Sequence, residues 1–484
     1  MATTKSSGPR TLSVRGLLSG FVLMAAAQLS SQIIGFVALA IAARRLGADN
    51  LGPFAWSVGV ALYFTLPTDF GITVLGIRDI ARDPSRAREV MGEVMALQVV
   101  LGLVVFALMI VLAPLIAPDA KSEALLPIAA CTVLVKAAIG FDWSLRALQR
   151  MRPIAVLKIA SQVVYGVLVV VLITDGFPGA KRFAWLNVLN AGLFAALTLW
   201  WAWKIAGRPR FVLDRAKLWR RLRKSLPIGI SFAMIQIYYS LDSVLLGYLK
   251  DTAAVGQYAV AYRLPLGLFA FAAIWVAVVY PHAAAMSVKD PEKLRRQVGT
   301  FSSYSIAIAL PLGLGATFGG DGLMPKLFGH EFEAATTPFI LLTWAVAVSI
   351  VSVNFGNVLL GTGDDKRYAI GVSVGAVVNI VLNIALIPWL GLAGSAIATI
   401  ATELAVVAYM IKRFAIVLGP VQLEWGRILR ACLAGAVMSA VLIALPGSID
   451  VIARIAIGTV VYLAVALGIG VVSPSELRAI RSRG

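Results

Sequence analysis

Residues 91–117 read MGEVMALQVVLGLVVFALMIVLAPLIA, an apolar run whose single charged residue is Glu93. A helix needs roughly 20 predominantly apolar residues to cross about 30 Å of hydrocarbon, so this run predicts a membrane-spanning helix. About fourteen such segments fill the 484-residue chain. They lie at 17–42, 51–72, 91–117, 122–144, 154–174, 183–205, 226–248, 256–282, 299–319, 335–361, 367–388, 391–411, 428–446 and 451–472. Because the loops between them are short, we expect an all-α polytopic membrane protein with about 14 transmembrane helices.

The composition agrees with a membrane protein and also predicts its orientation. Hydrophobic residues make up 60% of the chain, and the formal net charge is +19. With the N-terminus inside, the predicted cytoplasmic loops hold about four times as many Lys and Arg residues as the outer loops. Lys and Arg accumulate in cytoplasmic loops, so both termini are expected in the cytoplasm, in the inner or plasma membrane. The positive charge therefore requires no nucleic-acid partner.

Cysteine and histidine give no sign of a metal or cofactor site. Cys131 and Cys432 both fall within apolar segments, which favours small buried residues over a disulfide or a ligand pair. His282 and His330 are far apart and lack a nearby cluster of ligands. We therefore predict neither a metal ion nor a cofactor.

A basic segment at 206–225 divides the first six spans from those that follow. Val212, Ala216, Trp219 and Leu222 fall near helical spacing there, with several Arg and Lys residues around them. This pattern favours a short amphipathic helix on the inner membrane surface, attracted to anionic lipid headgroups. A solvated charged linker is the alternative. The predicted units are an N-lobe at 1–205, the linker at 206–225, a C-lobe at 226–411, and 412–484 with two further spans and a cytoplasmic tail.

The two lobes share a short internal repeat. Residues 51–55 (LGPFA) open span 2, and residues 255–259 (VGQYA) open span 8. The same topological position in each half, six spans apart, predicts a parallel repeat about an axis along the membrane normal. Pro67 and Pro265 interrupt these two spans, and interrupted helices at matching positions are typical of the moving, substrate-facing parts of transporters.

Several charged residues lie inside predicted spans, where each costs at least about 2.5–3.5 kcal/mol unless it faces water or a partner. Asp242 and Arg263 fall at similar depth in antiparallel spans. They predict either an ion pair between the helices or a cavity-facing Arg263 held by Asp242. Lys158 lies near the cytoplasmic end of its span and can extend to the interface. The full set is Asp69, Lys136, Lys158, Asp242, Arg263 and Glu403.

Motifs along most of the chain resemble the polysaccharide-biosynthesis flippases of the Wzx type, which belong to the superfamily that includes multidrug-and-toxin exporters and the lipid II flippase. Residues 242–247 (DSVLLG), 255–258 (VGQY) and 261–263 (AYR) carry the most specific part of the resemblance. Further matching runs lie at 43–47, 51–54, 69–71, 78–82, 148–152, 379–383, 387–396 and 401–403.

The resemblance implies an alternating-access transporter without enzymatic activity, built from two six-helix lobes around a central cavity. It would carry a polyprenyl-diphosphate-linked oligosaccharide from the inner to the outer leaflet for polysaccharide biosynthesis. Arg263, Lys136 and Lys158 are then the expected diphosphate contacts. Further expected partners are membrane lipids, a coupling ion (H⁺ or Na⁺) and polysaccharide polymerase machinery. The residues expected to serve gating or ion coupling are Asp69, Asp242 and Glu403.

Three other functions compete with this interpretation. A cation-coupled multidrug exporter and a lipid II flippase belong to the same superfamily. The extra pair of spans and the cationic residues favour the oligosaccharide carrier over the exporter, and the motifs favour it over a carrier of lipid II. A membrane-bound polymerase or glycosyltransferase is disfavoured because the outer loops are short and no nucleotide-sugar motif is visible.

Overall fold

A computed structural model describes residues 14–211, 214–268 and 290–472, and within these ranges every regular element is a helix. The N-terminal half contains α1 (Val14–Leu46), α2 (Ala48–Asp69), α3 (Ile72–Arg82), α4 (Ala87–Ile116), α5 (Ala120–Ile139), α6 (Asp142–Ala147), α7 (Met151–Leu172) and α8 (Gly176–Ala206).

The C-terminal half contains α9 (Arg215–Leu249), the helical residues 252–268 (α10), α11 (Pro291–Gly319), α12 (Leu323–Phe328), α13 (Thr336–Gly361) and α14 (Asp365–Leu418). Two more helices follow, α15 (Trp425–Ala444) and α16 (Val451–Gly468). Short 3₁₀ turns occupy Pro84–Arg86 and His330–Ala335.

Ten helices of the described ranges are long and apolar enough to cross a membrane, or eleven when α2 and α3, bent by 46°, are counted as one span. The protein is therefore a multi-pass membrane protein, but the count of fourteen spans is not reproduced. Predicted span 7 (226–248) lies within α9, whose first turns are strongly charged and whose described residues include the apolar stretch Ser240–Leu249. Predicted span 8 continues past residue 268 and lies partly outside the described residues.

Predicted spans 11 and 12 form one continuous 54-residue element, α14. A straight helix of that length would measure about 81 Å, far more than the bilayer thickness. The chain reverses at Gly391, which has φ 53° and ψ −127°. Asn383 and Ser395 consequently lie face to face, with 2.9 Å between Oδ1 and Oγ, and Arg413 reaches Asp364 at 2.7 Å. The element is a helical hairpin with almost no loop.

The two interrupted spans behave differently. Helix α2 continues past Pro67 to Asp69, and the chain then breaks with Phe70 at φ 39° and Gly71 at φ 78°. Positive φ is uncommon outside glycine, so this break is a defined feature of the backbone. Helix α10, by contrast, is helical on both sides of Pro265 up to residue 268.

The halves touch at both ends, which we call outer and inner after the predicted topology. At the outer end α2 crosses α10, and a Cβ atom added at Gly52 would lie 1.7 Å from the carbonyl oxygen of Thr252. One added at Gly256 would lie 2.9 Å from the Gly52 nitrogen. At the inner end α9 packs onto the break after α2, where Gly229 lies against Phe70. The two copies of the repeated motif thus meet, while the two-lobe repeat itself stays a prediction.

Candidate substrate-binding site

Lys136 and Lys158, two of the predicted anion contacts, line the same cavity of about 280 Å³ in the N-terminal half. Helices α2, α5, α7 and α8 form its walls. Lys136 is exposed to the cavity and has no hydrogen-bond or ion-pair partner among the described residues. Lys158 donates a hydrogen bond to the side-chain oxygen of Gln28. The uncharged polar lining consists of the amide residues Gln162, Asn187 and Asn190 and the hydroxyl residues Thr65, Thr132 and Ser161.

A second cavity of about 410 Å³ adjoins the first and also includes Lys136. Its charged lining consists of Lys136, Asp69, Asp142 and Arg146. Asp142 and Arg146 form an ion pair at 2.9 Å. Since that pair largely neutralises itself, Lys136 and Asp69 are the charges left in this lining. The smaller cavity is the more cationic of the two, because it is lined by Lys136 and Lys158 and by no carboxylate of the described residues.

Asp69 holds the chain break between α2 and α3. Its carboxylate accepts hydrogen bonds from the Thr73 backbone nitrogen at 2.9 Å and from the Thr73 hydroxyl at 2.8 Å. The Gln98 amide donates a third at 3.3 Å. The side chain therefore caps the start of α3 and also lines the 410 Å³ cavity, so a change in the break would move a wall of the site.

Arg263 reaches from α10 to the N-terminal half. Its Nη2 atom lies 2.7 Å from the position of a Cβ atom added at Gly35, and the Gln162 Nε2 atom lies 3.3 Å from the same point. Gln162 lines the smaller cavity, so Arg263 stands at the edge of the site that holds Lys136 and Lys158. The three cations predicted from the sequence thus lie in one region, although they belong to three different helices, α5, α7 and α10.

Asp242 does not pair with Arg263 among the described residues. Its Oδ2 atom accepts a hydrogen bond from the Tyr258 hydroxyl at 2.8 Å, and its Oδ1 atom accepts one from the Ser243 backbone nitrogen at 2.7 Å. The Tyr258 hydroxyl also lies 3.4 Å from the Thr399 hydroxyl on α14. The direct ion pair, one of the two sequence-based alternatives, is therefore not formed, and Asp242 joins α9, α10 and α14 instead.

Glu403 belongs to the same side of the molecule. It lies one helical turn beyond Thr399 in the second arm of α14 and is 6% exposed, as is Asp242. The structure thus separates the predicted polar residues into two groups. The cations and Asp69 surround the N-terminal cavities, whereas Asp242 and Glu403 are buried in the C-terminal half.

A third feature is an apolar groove of about 540 Å³ between α11, α13, α15 and α16, with Leu264 and Leu268 of α10 at one side. Leu312, Leu442 and Leu463 are typical of its lining. Tyr304 stands in the groove with the Arg427 guanidinium 3.9 Å from its ring centroid. The two helices that follow α14, α15 and α16, form one wall of this groove.

The sequence did not single out the uncharged polar residues as site residues, and Tyr258 entered only as part of the matching motif 255–258. Gln28, Gln162, Asn187, Asn190 and Tyr258 contact or surround the charged residues. Amides within apolar spans are a usable signal, because a polar group in hydrocarbon needs a partner. Tyr258 gave no such signal, since tyrosine is common at membrane interfaces.

Comparison with known proteins identifies relatives of the chain. A family model described as "polysaccharide biosynthesis protein" matches residues 17–287. The probable low-salt glycan biosynthesis flippase Agl15 of Haloferax volcanii is 28% identical over 167 residues, 34% of this chain and 35% of that protein. The probable flippase AglR of the same organism is 27% identical over 168 residues, again 34% and 35%. The matched regions thus span about a third of each of these relatives.

Solved structures share the fold. The lipid II flippase MurJ in an inward closed conformation superposes with a TM-score of 0.71 at 16% identity, over 92% of this chain and 98% of that one. An inward-facing multidrug resistance transporter of the MATE family gives a TM-score of 0.53 at 16% identity, over 81% and 94%. At these identities the likeness concerns the fold alone. The family model covers more than half of the sequence, as the motifs led us to expect, and the chain belongs to the polysaccharide biosynthesis protein family.

Proposed function

We propose that the protein is a flippase that moves a polyprenyl-diphosphate-linked oligosaccharide from the inner to the outer leaflet by alternating access. Family membership supports a role in polysaccharide biosynthesis, and two relatives carry the name of flippases. A sugar headgroup and a diphosphate cannot cross hydrocarbon unaided, whereas the lipid tail need not leave it. Such a carrier needs a polar cavity for the headgroup and an apolar path for the tail.

The cation-lined cavity is the observation that carries this proposal. Among the described residues, Lys136 has no carboxylate partner and Lys158 is bonded only to a neutral amide, and Arg263 stands at the edge. Hydrogen bonds between a cation and a phosphate are roughly twice as strong as neutral ones. The amides of Gln162, Asn187 and Asn190 supply donors and acceptors of the kind that sugar hydroxyls require. The apolar groove beside α15 and α16 offers a place for the tail.

Asp242 and Glu403 are proposed to couple transport to a proton or a sodium ion. Both are buried in the C-terminal half, away from the cationic cavity. Asp242 connects three helices through Tyr258, whose hydroxyl also lies near that of Thr399, so a change in its charge would alter how α9, α10 and α14 pack. Asp69 is proposed to act in gating, because it caps the break at which α2 and α3 bend.

A multidrug exporter is the second candidate, because a MATE transporter shares the fold at a TM-score of 0.53. The charge of the smaller N-terminal cavity, which is lined by Lys136 and Lys158, argues against it. Unneutralised lysines repel the lipophilic cations that such an exporter would carry and attract anionic headgroups. Lipid II is a diphosphate lipid too, so its exclusion rests on the family match rather than on the cavity.

The proposal is tested by flipping assays with purified protein in liposomes. The probe is an NBD-labelled polyprenyl-diphosphate disaccharide, and the readout is the fraction reduced by external dithionite. We expect Arg263→Ala and Lys136→Gln each to lower the flipping rate at least about tenfold, because one charge-assisted hydrogen bond contributes about 1.5–3 kcal/mol. The flipping rate of Arg263→Lys should fall less than that of Arg263→Ala, because lysine keeps the positive charge although it lacks the planar guanidinium.

Arg152→Gln is the matched control, an exposed cation of the same half without an ion-pair partner among the described residues. The Arg152→Gln variant should flip the disaccharide probe at the wild-type rate. Lipid II and ethidium, tested as parallel probes, separate the alternatives. Full activity of both cavity variants on the disaccharide probe, or ethidium efflux without lipid flipping, would refute the proposal.

A further inference from the structure

The first turns of α9 pack one face against the N-terminal half. Leu218 and Leu222 contact the core formed by α3, α4 and α8, and Ser225 is fully buried. Arg221 lies on the same face. Its guanidinium bonds Glu93 at 2.6 Å and Asp79 at 3.1 Å, so it joins α9 to both α4 and α3. The buried face is thus occupied by protein, and it cannot be the surface that meets lipid.

The opposite face carries cations that nothing in the described part of the chain neutralises. Arg215, Arg220, Arg223 and Lys224 are all exposed, and none has a hydrogen bond or an ion pair with a described residue. At 100° per residue, these four and Trp219 lie on one side of the helix. Trp219 is 64% exposed. An exposed tryptophan among cations is typical of a helix at the membrane–water interface.

The same side becomes apolar one turn later. Leu226 is 38% exposed and Ile230 is 56% exposed, in the direction of the membrane-spanning part of α9. At the end of α8, the Lys204 ammonium lies 5.3 Å from the Trp200 ring centroid, and Phe211 in the segment that follows is 56% exposed. Along the exposed face of α9, the cations and Trp219 at residues 215–224 are followed by the aliphatic residues Leu226 and Ile230. This order matches headgroups and interface followed by hydrocarbon.

We propose that the face formed by Arg215, Trp219, Arg220, Arg223 and Lys224 is a docking surface for anionic phospholipids of the inner leaflet. The sequence pattern grouped Trp219 and Leu222 on the apolar side of a helix at the inner membrane surface. The structure separates them, because Leu222 packs against the N-terminal half whereas Trp219 is exposed among the cations. Bound phosphate headgroups would hold the linker helix at the interface while Arg221 holds its other face to α3 and α4. This inference does not depend on the transported substrate.

The test measures lipid binding without any transport. Full-length protein in neutral detergent is titrated with dihexanoyl-phosphatidylglycerol or dihexanoyl-phosphatidylcholine, and the rise in melting temperature gives the apparent Kd. We expect the wild type to prefer phosphatidylglycerol at least about tenfold. A variant with four changes, Arg215→Gln, Arg220→Gln, Arg223→Gln and Lys224→Gln, should lose that preference, because each basic residue near an anionic surface contributes about a fivefold factor.

A matched variant removes four exposed cations elsewhere, Arg82→Gln, Arg152→Gln, Lys366→Gln and Arg367→Gln. It should keep the preference within about twofold. An equal loss in both variants would assign the effect to net charge and overturn the proposal. If the variant with four changes at 215–224 does not fold, the salt dependence of the wild type provides the test. Raising NaCl from 0.05 to 0.5 M must abolish the preference, since exposed charges are screened, and an unchanged preference overturns the proposal.

Discussion

At the scale of single residues, Gly315 leaves space in the apolar groove because it has no side chain. It lines the apolar groove, and no heavy atom of the described residues lies within 4 Å of the place that a Cβ atom would occupy. We predict that Gly315→Phe fills part of the groove and lowers flipping of a long-chain polyprenyl probe at least fivefold. A probe with a short prenyl tail should be flipped at a nearly unchanged rate, because its tail needs less of the groove.

Gly447→Phe is the control for this substitution. Gly447 likewise has open space around it and lies in the loop between α15 and α16, outside the groove lining. Both variants should melt close to the wild type, since neither introduced ring meets an obstructing atom. Equal flipping of long and short probes by Gly315→Phe would show that the groove does not hold the tail.

At the residue level, the positions of the charged groups within the spans could be predicted from the sequence, whereas their hydrogen-bond partners could not. Lys136, Lys158 and Arg263 were singled out by the cost of charge in hydrocarbon, and the structure brings all three to one region. The partner of Asp242 was not predictable in the same way. Tyr258 and Arg263 lie on the same helix, and only the rotation of α10 against α9 decides which one faces the carboxylate.

At the level of helices, the Arg221 cluster is a buried ionic contact between α9 and the N-terminal half. The side chains of Arg221 and Glu93 are only 9% and 6% exposed. Removing one partner of a buried ion pair costs about 3–5 kcal/mol, because the other charge stays buried without compensation. We therefore predict that Arg221→Gln lowers the melting temperature of the purified protein by several degrees, measured in neutral detergent.

A double-mutant cycle tests whether the pairing is the cause. Glu93→Gln combined with Arg221→Gln should be clearly less destabilising than the sum of the two single changes, since no unpaired charge is left between them. Arg82→Gln, an exposed cation of α3 without an ion pair in the described ranges, should leave the melting temperature unchanged. Additive losses would contradict a coupled, buried pair.

Hydropathy predicted most helices correctly, but it placed a boundary inside α9, which begins with charged turns and ends with an apolar segment. The basic segment and predicted span 7 are therefore one continuous element. Nothing in the local pattern revealed this, because continuity depends on the packing of Leu218 and Leu222 against α3 and α4.

At the level of the whole molecule, α2 and α10 join the two halves by crossing in direct contact at the predicted outer end. Any side chain at Gly52 would collide with the Thr252 carbonyl. We predict that Gly52→Ala separates the two helices, costs about 1–3 kcal/mol as overpacking does, and slows flipping at least fivefold. The accessibility of a cysteine introduced at Thr252 to a membrane-impermeant maleimide should rise in the same variant.

Gly59→Ala serves as the control on the same helix. A Cβ atom there meets only Val244, at an ordinary 3.8 Å. It should leave both flipping and labelling unchanged. If Gly52→Ala behaved like Gly59→Ala, the crossing would tolerate a wider separation than the structure implies, and closure at this end would need another explanation.

The reversal at Gly391 also bears on how the protein is made. The turn has almost no loop, so the ribosome delivers both arms of α14 in immediate succession. Asn383 in the first arm meets its side-chain partner, Ser395, only when the second arm emerges. The Asn383 Nδ2 atom donates to the Asn379 carbonyl within the first arm, so only the Oδ1 atom waits for a donor from the second arm. A buried polar atom without a partner is costly in lipid. The translocon therefore has reason to retain the first arm until the second arrives and to release the two together, so that biogenesis treats this part of the chain as a single insertion unit.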